Sequence, residues 1–182
     1  MSLIETPYAG PSDGSRAVLG AVAGFAATLA MTDLMQRLHE FLPEDERYPL
    51  TPREITETLA RARDDDATAT RTLLAHFAYG ALTGALYGLA SRRARLVGGA
   101  LYGVGVWCAS YLGWIPGVGI LKPATAHPPR RNALMLAAHV IWGGVTAWGL
   151  AELMRGHRGA FASGELRDRA FKAHLPGAKT LT

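Results

Sequence analysis

Four long stretches of the chain contain no Asp, Glu, Lys or Arg, and they lie at 17–32, 72–91, 96–121 and 132–151. A helix rises about 1.5 Å per residue, so roughly 20 mostly apolar residues cross the hydrocarbon core of a bilayer. The last three stretches are long enough, and the first is long enough if Asp33 lies at the membrane interface. The pattern therefore predicts an all-α polytopic membrane protein with four transmembrane helices.

A water-soluble four-helix bundle is the alternative, but its helices would carry a charged residue at every third or fourth position, which these stretches lack. The mean hydropathy of +0.09 is ordinary only because polar segments dilute the apolar ones. We divide the chain into a flexible amino-terminal arm at 1–15, a transmembrane domain at 16–155 and a flexible carboxy-terminal tail at 156–182. Within the transmembrane domain, 37–71 is predicted to be a polar helical loop.

Basic residues divide almost evenly between the two sides of a four-span protein. However, the turn between the second and third stretches concentrates Arg92, Arg93 and Arg95, whereas the long loop on the other side contains the acidic run 64–66. Cytoplasmic loops are enriched in Lys and Arg, so we expect this turn and both termini in the cytoplasm. Because the basic residues lie along loops and membrane boundaries, the lipid bilayer and not nucleic acid is their expected partner.

The second and fourth stretches share a pattern in which an aromatic residue, Gly and Thr follow a His at plus three, plus four and plus seven. The His and aromatic pairs are His76 with Tyr79 and His139 with Trp142. Since the first and third stretches also align through their glycines, the chain is predicted to be a tandem repeat of two helical hairpins, related by an axis along the membrane normal. Chance matching among Gly- and Ala-rich helices is the alternative.

Glycines at four-residue spacing allow two membrane helices to approach closely, because no side chain separates their backbones. The residues to which we assign helix packing are Gly20, Gly24, Gly80, Gly84, Gly88, Gly99, Gly103 and Gly143. The spacing suits contacts within one chain and contacts between copies. We therefore expect self-association or association with another membrane protein.

His76 and His139 are the main candidates for chemistry, and three interpretations stay open. Each ring could form a structural hydrogen bond near the membrane interface. The two rings could instead relay protons or ions together with Asp33, Tyr79 and Trp142. As a third interpretation they could ligate haem b as a pair, since facing helices of a bundle hold such cofactors. We assign no metal site, because two histidines lack an obvious third ligand.

Three arginines in the loops are candidates for contact with lipid phosphates or another anion. Arg53 lies in a segment that Thr51 and Glu54 predict to be a capped helix. Arg130 and Arg131 follow two prolines and begin the last span. Anchoring of the helix end is the alternative for these two residues.

The sequence contains no Walker, HExxH or CxxC motif, so it does not support the common ATPase, zinc-protease and thiol-redox mechanisms. This favours a non-enzymatic protein that is an oligomeric or accessory subunit of a membrane complex. One alternative is a small transporter or channel with an intramembrane His pair. Another is a haem-binding electron carrier with two histidine ligands.

A resemblance to a known family is found in the proline–arginine loop, the small four-helix layout and the run His139, Val140, Ile141, Trp142 at the start of the last span. With these features, 16–154 resembles the YagU-like bacterial inner-membrane proteins of unknown function. The resemblance implies a bacterial inner membrane and no established reaction.

Overall fold

The computed structural model describes residues 11–60 and 65–159, and this part of the chain is helical, with no β-strand. Its helices are α1 (Asp13–Glu40), α2 (Thr51–Ala60), α3 (Asp65–Ala90), α4 (Leu96–Gly117) and α5 (Pro129–Arg158). By length and composition, α1, α3, α4 and α5 could each cross a membrane. The predicted all-α fold with four such helices is therefore confirmed. The predicted arm and tail lie mostly outside the described residues, and so does Asp64 of the acidic run.

The first and last spans are longer than the uncharged stretches of the sequence. Helix α1 begins at Asp13, where the side chain of Ser12 accepts a hydrogen bond from the backbone N–H of Ser15 at 3.1 Å. The last span, α5, continues to Arg158 and carries basic residues in its last turn, where they interact favourably with the helix dipole. The helical domain therefore begins before residue 16 and continues past residue 155.

The spans pack in the order α3, α1, α5, α4, with α1 and α5 in the middle. Helix α1 packs extensively against α3 and α5, and α4 packs against α5. The backbones of α3 and α4 come close at few points, and side chains join these two helices, as where Tyr102 donates to the carbonyl oxygen of Thr83 at 2.7 Å. The short α2 packs against α3. The loop that contains α2 and the loop after α4 lie at one end of the bundle, and the turn at 91–95 lies at the other. A gap therefore remains between α3 and α4 near α2.

Glycines form the contact between α1 and α3, which we call the first glycine seam. A Cβ atom added to Gly84 would lie 2.7 Å from the Cα of Gly24, and one added to Gly20 would lie 3.0 Å from the Cα of Gly88. Gly80 continues this line and faces Thr28 of α1. The two backbones are therefore in direct contact, and no larger side chain fits between them.

Helices α4 and α5 meet in the same manner at the second glycine seam, which contains Gly99, Gly103 and Gly143. A Cβ atom added to Gly143 would lie 2.9 Å from the backbone nitrogen of Gly103. The predicted repeat aligns Gly103 with Gly24 and Gly143 with Gly80. In the second seam Gly103 faces Gly143, but in the first seam Gly24 faces Gly84, which lies one helical turn beyond Gly80. The two seams thus differ in register by a helical turn, and the tandem repeat stays a prediction.

The outer surface of the bundle is apolar over the length of its spans. Large hydrophobic side chains are exposed on all four, among them Val18 on α1, Leu82 on α3, Leu101 on α4 and Trp148 on α5. A water-soluble bundle would place polar side chains there. This surface is suited to contact with lipid, which agrees with a small integral membrane protein.

Candidate functional site

A cavity of about 290 Å³ lies where α3 and α4 diverge, and residues of all five helices line it. His76 and Tyr79 contribute to its wall from α3, and His139 and Trp142 contribute from α5. The structure therefore brings four of the predicted ligand or relay residues to one place. They share this cavity because α3 and α5 both contact α1.

Asp33, the fifth predicted relay residue, lies elsewhere. Its side chain is 61% exposed and forms an ion pair with Arg37, one turn further along α1, with 2.8 Å between Asp33 Oδ2 and Arg37 Nε. It is not among the residues that line the cavity. Asp33 therefore belongs to a surface ion pair and is not a partner of either histidine.

The ring nitrogens of His139, His76 and Trp107, which line the cavity, differ in their hydrogen bonds within the described part of the chain. The Nδ1 atom of His139 donates to the carbonyl oxygen of Met135 at 2.7 Å, so in the neutral ring Nε2 carries the lone pair. The Nε2 of His76 and the Nε1 of Trp107 are buried and unpartnered. Across 11–60 and 65–159, no group of three His, Cys, Asp or Glu residues is placed to hold a metal ion.

Hydroxyl groups of the wall are hydrogen-bonded within the protein. Tyr79 and Ser110 hydrogen-bond to each other across the gap between α3 and α4, with 2.8 Å between their oxygens. Thr51 donates to the hydroxyl of Tyr111 at 2.9 Å. The remaining threonines of the wall, Thr28, Thr56, Thr72 and Thr83, donate to backbone carbonyls. These groups therefore stabilise the helices that form the wall.

The indole N–H of Trp142 is also hydrogen-bonded within the protein. Its Nε1 donates to the carbonyl oxygen of Gly24 at 3.2 Å, beside Thr28, and its side chain is buried. This bond joins α5 to α1 near the first glycine seam. The ring of Trp142 contributes to the cavity wall, but its polar atom is occupied.

The part of the wall that comes from α4 was not recognised as a site in the sequence. A π-helical segment spans Ala109–Trp114, and such segments are frequent at functional sites. Trp107, Tyr111 and Trp114 line the cavity from this part of α4. Their spacing of four and three residues places them on one face of a helix, and this was the available signal.

The segment from Tyr48 to Glu54, which we call the cap segment, is held over one end of the cavity by Arg131. The Arg131 side chain is fully buried, and its guanidinium carbon lies 3.6 Å from the centroid of the Tyr48 ring. It donates to the carbonyl oxygen of Tyr48 at 2.9 Å and to that of Pro49, and lies 3.3 Å from a carboxylate oxygen of Glu54. Arg131 therefore binds groups of the protein itself instead of an external anion.

The other two predicted anion-binding arginines lie nearer the surface. Arg53 is half-buried and forms an ion pair with Glu57 at 2.5 Å. Arg130 is exposed at the start of α5. Of the three arginines, Arg130 is thus the one whose side chain is available to lipid phosphates.

Aromatic contacts join the cap segment to α4. The hydroxyl of Tyr48 lies 2.9 Å from Nδ1 of His127, and the His127 ring stacks on Tyr111 with 5.5 Å between ring centroids. Burial raises the pKa of the Tyr48 phenol above its ordinary value, so the hydroxyl stays protonated at neutral pH. Thr51 and Ile55 from this region line the cavity below. The cap segment is therefore part of the site.

No family model matches the chain, and neither a curated protein nor a solved structure matches it. Membership of the YagU-like family stays a prediction. The function must be inferred from the geometry of the cavity.

Proposed function

We propose that the protein binds a lipophilic molecule in the cavity between α3 and α4. The observation that carries this proposal is a cavity of about 290 Å³ between the apolar helices, with a wall that is mostly apolar and aromatic. Small-molecule sites combine such walls with a few polar groups that orient the ligand. The polar group available to a ligand is Nε2 of the neutral His139 ring, since Nδ1 donates to Met135.

The gap between α3 and α4 offers a path into the cavity from the hydrocarbon region. Tyr79 and Trp114 line the cavity and are also exposed, by 36% and 44%, with 6.3 Å between their ring centroids. The hydrogen bond from Tyr79 to Ser110 bridges this gap. A lipophilic molecule dissolved in the bilayer would enter between these side chains when that bond opens.

A channel is a less suitable interpretation of the same geometry. An ion pathway needs polar groups over the full thickness of the membrane. Toward the turn at 91–95, Tyr102 of α4 closes the space beside α3, because its hydroxyl donates to the carbonyl oxygen of Thr83 at 2.7 Å and its ring lies 5.0 Å from that of Tyr87. The cavity thus ends within the membrane, which favours a binding site over a pore.

An oligomeric or accessory subunit is the alternative that the sequence favours, and binding of a lipophilic molecule is compatible with such a role. We propose a bacterial inner membrane as the location, with both termini in the cytoplasm. The cavity would then lie in the half of the membrane that faces away from the cytoplasm. Native mass spectrometry of the gently extracted protein would report the number of copies and any partner chain.

Haem b is a second candidate ligand because of the hydrogen bond that His139 forms. Histidines that bind a metal commonly donate their other ring N–H to a carbonyl, as Nδ1 of His139 does to Met135. His76 lines the same cavity from the opposite side of the gap. Protein purified from haem-supplemented cells would show a Soret band that His139→Leu removes, and colourless protein would exclude this ligand.

Two alanines on α3 provide a matched test of binding in the cavity. Ala75 and Ala78 are both exposed, but only Ala75 lines the cavity. Ala75→Trp should fill the cavity, whereas Ala78→Trp should not. Small molecules that copurify in mild detergent would be quantified by mass spectrometry, and we expect about tenfold less of the bound molecule with Ala75→Trp, a difference of roughly 1.4 kcal/mol. Equal amounts with both variants, or no enriched molecule, would contradict the proposal.

A further inference from the structure

We infer that a groove on the outer surface of α4 and α5 binds an acyl chain of an anionic phospholipid, while the lipid phosphate binds arginines of the turn at 91–95. Apolar side chains from both helices line this groove, which we call the outer groove. They include Leu96, Val97 and Ala100 of α4 and Ile141, Val145 and Trp148 of α5. The cavity between α3 and α4 is lined by other residues, so this lipid site is separate from the proposed function.

The outer groove has the dimensions of a channel for part of one acyl chain. Its volume is about 450 Å³, and from Val140 to Trp148 it extends roughly 12 Å along α5, at about 1.5 Å per residue. A Cβ atom added to Gly144, which also lines the groove, would meet no atom within 4 Å, so there is room at this position. The hydrocarbon core is about 30 Å thick, so the groove holds the part of a chain that lies in one half of the membrane.

One end of the outer groove lies beside the turn at 91–95. Gly99 of α4 lies against Ala147 of α5, so the neighbouring Trp148 is level with the first turn of α4. Leu96, which lines the groove, is the first residue of α4 and directly follows Arg95. Tryptophan side chains are enriched at the level of lipid headgroups. A lipid whose chain lies in the groove therefore has its headgroup at this turn.

The turn presents three positive charges that are available to a ligand. Arg92, Arg93 and Arg95 are exposed, and within 11–60 and 65–159 their side chains form no hydrogen bond or ion pair. Arginine binds phosphate through two parallel N–H groups, and basic clusters at the end of a membrane helix attract anionic lipids. The outer groove and this turn together match a lipid that has an apolar chain and a negative headgroup.

The described carboxylates at this end of the bundle are already paired. Asp13 lies 3.0 Å from Arg16, one turn further along α1. Glu152 pairs with Arg155 on α5. Neither carboxylate is paired with the arginines of the turn at 91–95, so the positive charge there is not cancelled within the described part of the chain.

The same charges disfavour a second copy of the chain in the outer groove. Copies of a membrane protein share one orientation, so a symmetric pair is related by an axis along the membrane normal. Two copies joined at this groove would bring their arginine turns together, and like charges repel. An anionic headgroup supplies the opposite charge instead.

Two phospholipids with the same acyl chains test the requirement for charge. Dioleoylphosphatidylglycerol has a net negative headgroup, whereas the headgroup of dioleoylphosphatidylcholine is neutral overall. The purified full-length protein in detergent would be titrated with each lipid, and native mass spectrometry would count the bound molecules. We expect phosphatidylglycerol to bind about tenfold more tightly, because the arginines attract a net negative headgroup.

Two triple variants test whether the turn supplies this preference. Replacement of all three arginines of the turn by glutamine should make the two lipids bind equally. The control removes the same charge from exposed residues toward the opposite end of the bundle, through Arg71→Gln, Lys122→Gln and Arg130→Gln. This control should keep the preference of about tenfold, because its charges are far from the outer groove.

Two glycines provide a matched test of the groove itself. A Cβ atom added to Gly144 or to Gly105 would meet no atom within 4 Å, but only Gly144 lines the outer groove. Gly144→Trp should weaken binding of both lipids about tenfold, and Gly105→Trp should leave both affinities unchanged. Circular dichroism would verify that these variants are folded. The triple variants, which change exposed residues alone, decide the headgroup contact in either case.

Three results would overturn the lipid site. The first is equal affinity of the unaltered protein for the two lipids. The second is the same loss of preference in both triple variants, since positive charge anywhere on the protein would then be sufficient. The third is lipid binding that a folded Gly144→Trp protein retains in full, because the acyl chain would then lie elsewhere.

Two further measurements distinguish other occupants. Glycerol 3-phosphate carries a phosphate without acyl chains and should not displace phosphatidylglycerol at equal concentration; displacement would indicate a phosphate site that does not use the groove. The mass spectra also report the number of protein copies. A dimer that Gly144→Trp converts to a monomer, and that phosphatidylglycerol does not bind, would assign the groove to a second copy and overturn the lipid site.

Discussion

The two halves of this bundle pack the same four helices in different ways. Toward the turn at 91–95, glycines bring backbones into direct contact, and the buried Arg16 donates to the carbonyl oxygen of Leu89 at 2.8 Å. Toward α2, aromatic side chains such as Trp107 and Tyr111 hold the helices apart around a cavity. In lipid, where there is little hydrophobic force between helices, side-chain size sets their separation. The difference shows how a small bundle can be closed at one end and contain a cavity at the other.

The halves also differ in what stabilises them. The glycine half depends on close van der Waals contact, which leaves no room for an added atom. The cavity half depends on hydrogen bonds between side chains and loops, including those that the buried Arg131 donates to Tyr48 and Pro49. Substitutions of similar size should therefore have different consequences in the two halves, and the following three comparisons test this difference.

The largest effect is expected from removal of the buried cation over the cavity. Arg131→Met removes the hydrogen bonds to the carbonyls of Tyr48 and Pro49 and the ion pair with Glu54. Breaking a buried ion pair costs about 3 kcal/mol or more, so the free energy of unfolding should fall by that amount. Circular dichroism during unfolding in detergent would measure it. The exposed neighbour provides the control, since Arg130→Met should change stability by less than about 0.5 kcal/mol; equal effects would contradict the role of Arg131.

An intermediate effect is expected from one added methyl group in the glycine half. Gly84→Ala would place Cβ 2.7 Å from the Cα of Gly24 and should lower the free energy of unfolding by about 2 kcal/mol, because the helices must separate. Gly144→Ala is the control, since a Cβ there has no neighbour within 4 Å. Alanine favours a helix over glycine by up to about 1 kcal/mol, so the control should be neutral or stabilising. A Gly84→Ala protein as stable as the control would show that the first glycine seam accommodates an added methyl group.

The smallest effect is expected at the gap between α3 and α4. Tyr79→Phe removes the hydrogen bond to Ser110 and should lower stability by about 1 kcal/mol. It should also speed entry of a fluorescent lipophilic probe, such as naphthalene, into the cavity in stopped-flow fluorescence, because the gap opens more easily. Tyr87→Phe is the matched control, as its buried hydroxyl has no partner among the described residues and its loss should cost nothing. Identical entry rates in the two variants would argue against access through this gap.

Part of the site could be predicted from the sequence. The shared offsets from His76 to Tyr79 and from His139 to Trp142 indicated a common helical face, and the structure places all four residues in one cavity wall. The prediction was possible because helical spacing is a local property. Asp33, which we had grouped with them, lies outside this wall, where it pairs with Arg37 at the surface.

Other parts of the site depend on contacts between residues far apart in the chain. Arg131 and Tyr48 meet through the packing of the cap segment on α5, and no local pattern distinguishes Arg131 from the exposed Arg130. The spacing of Trp107 and Tyr111 indicated an aromatic face on α4, but it did not indicate which part of the bundle this face contacts. Its role as a cavity wall depends on the divergence of α4 from α3.

The uncharged stretches specify four helices long and apolar enough to cross a membrane, where a backbone must satisfy its hydrogen bonds within its own segment. Glycine spacing further specifies where two backbones can touch. The packing of the helices decides which pairs do touch, that α3 and α4 separate, and that the two histidines share a cavity. These outcomes required the tertiary structure, since they depend on how each helix is rotated and positioned against its neighbours, and neither property is encoded in a single segment.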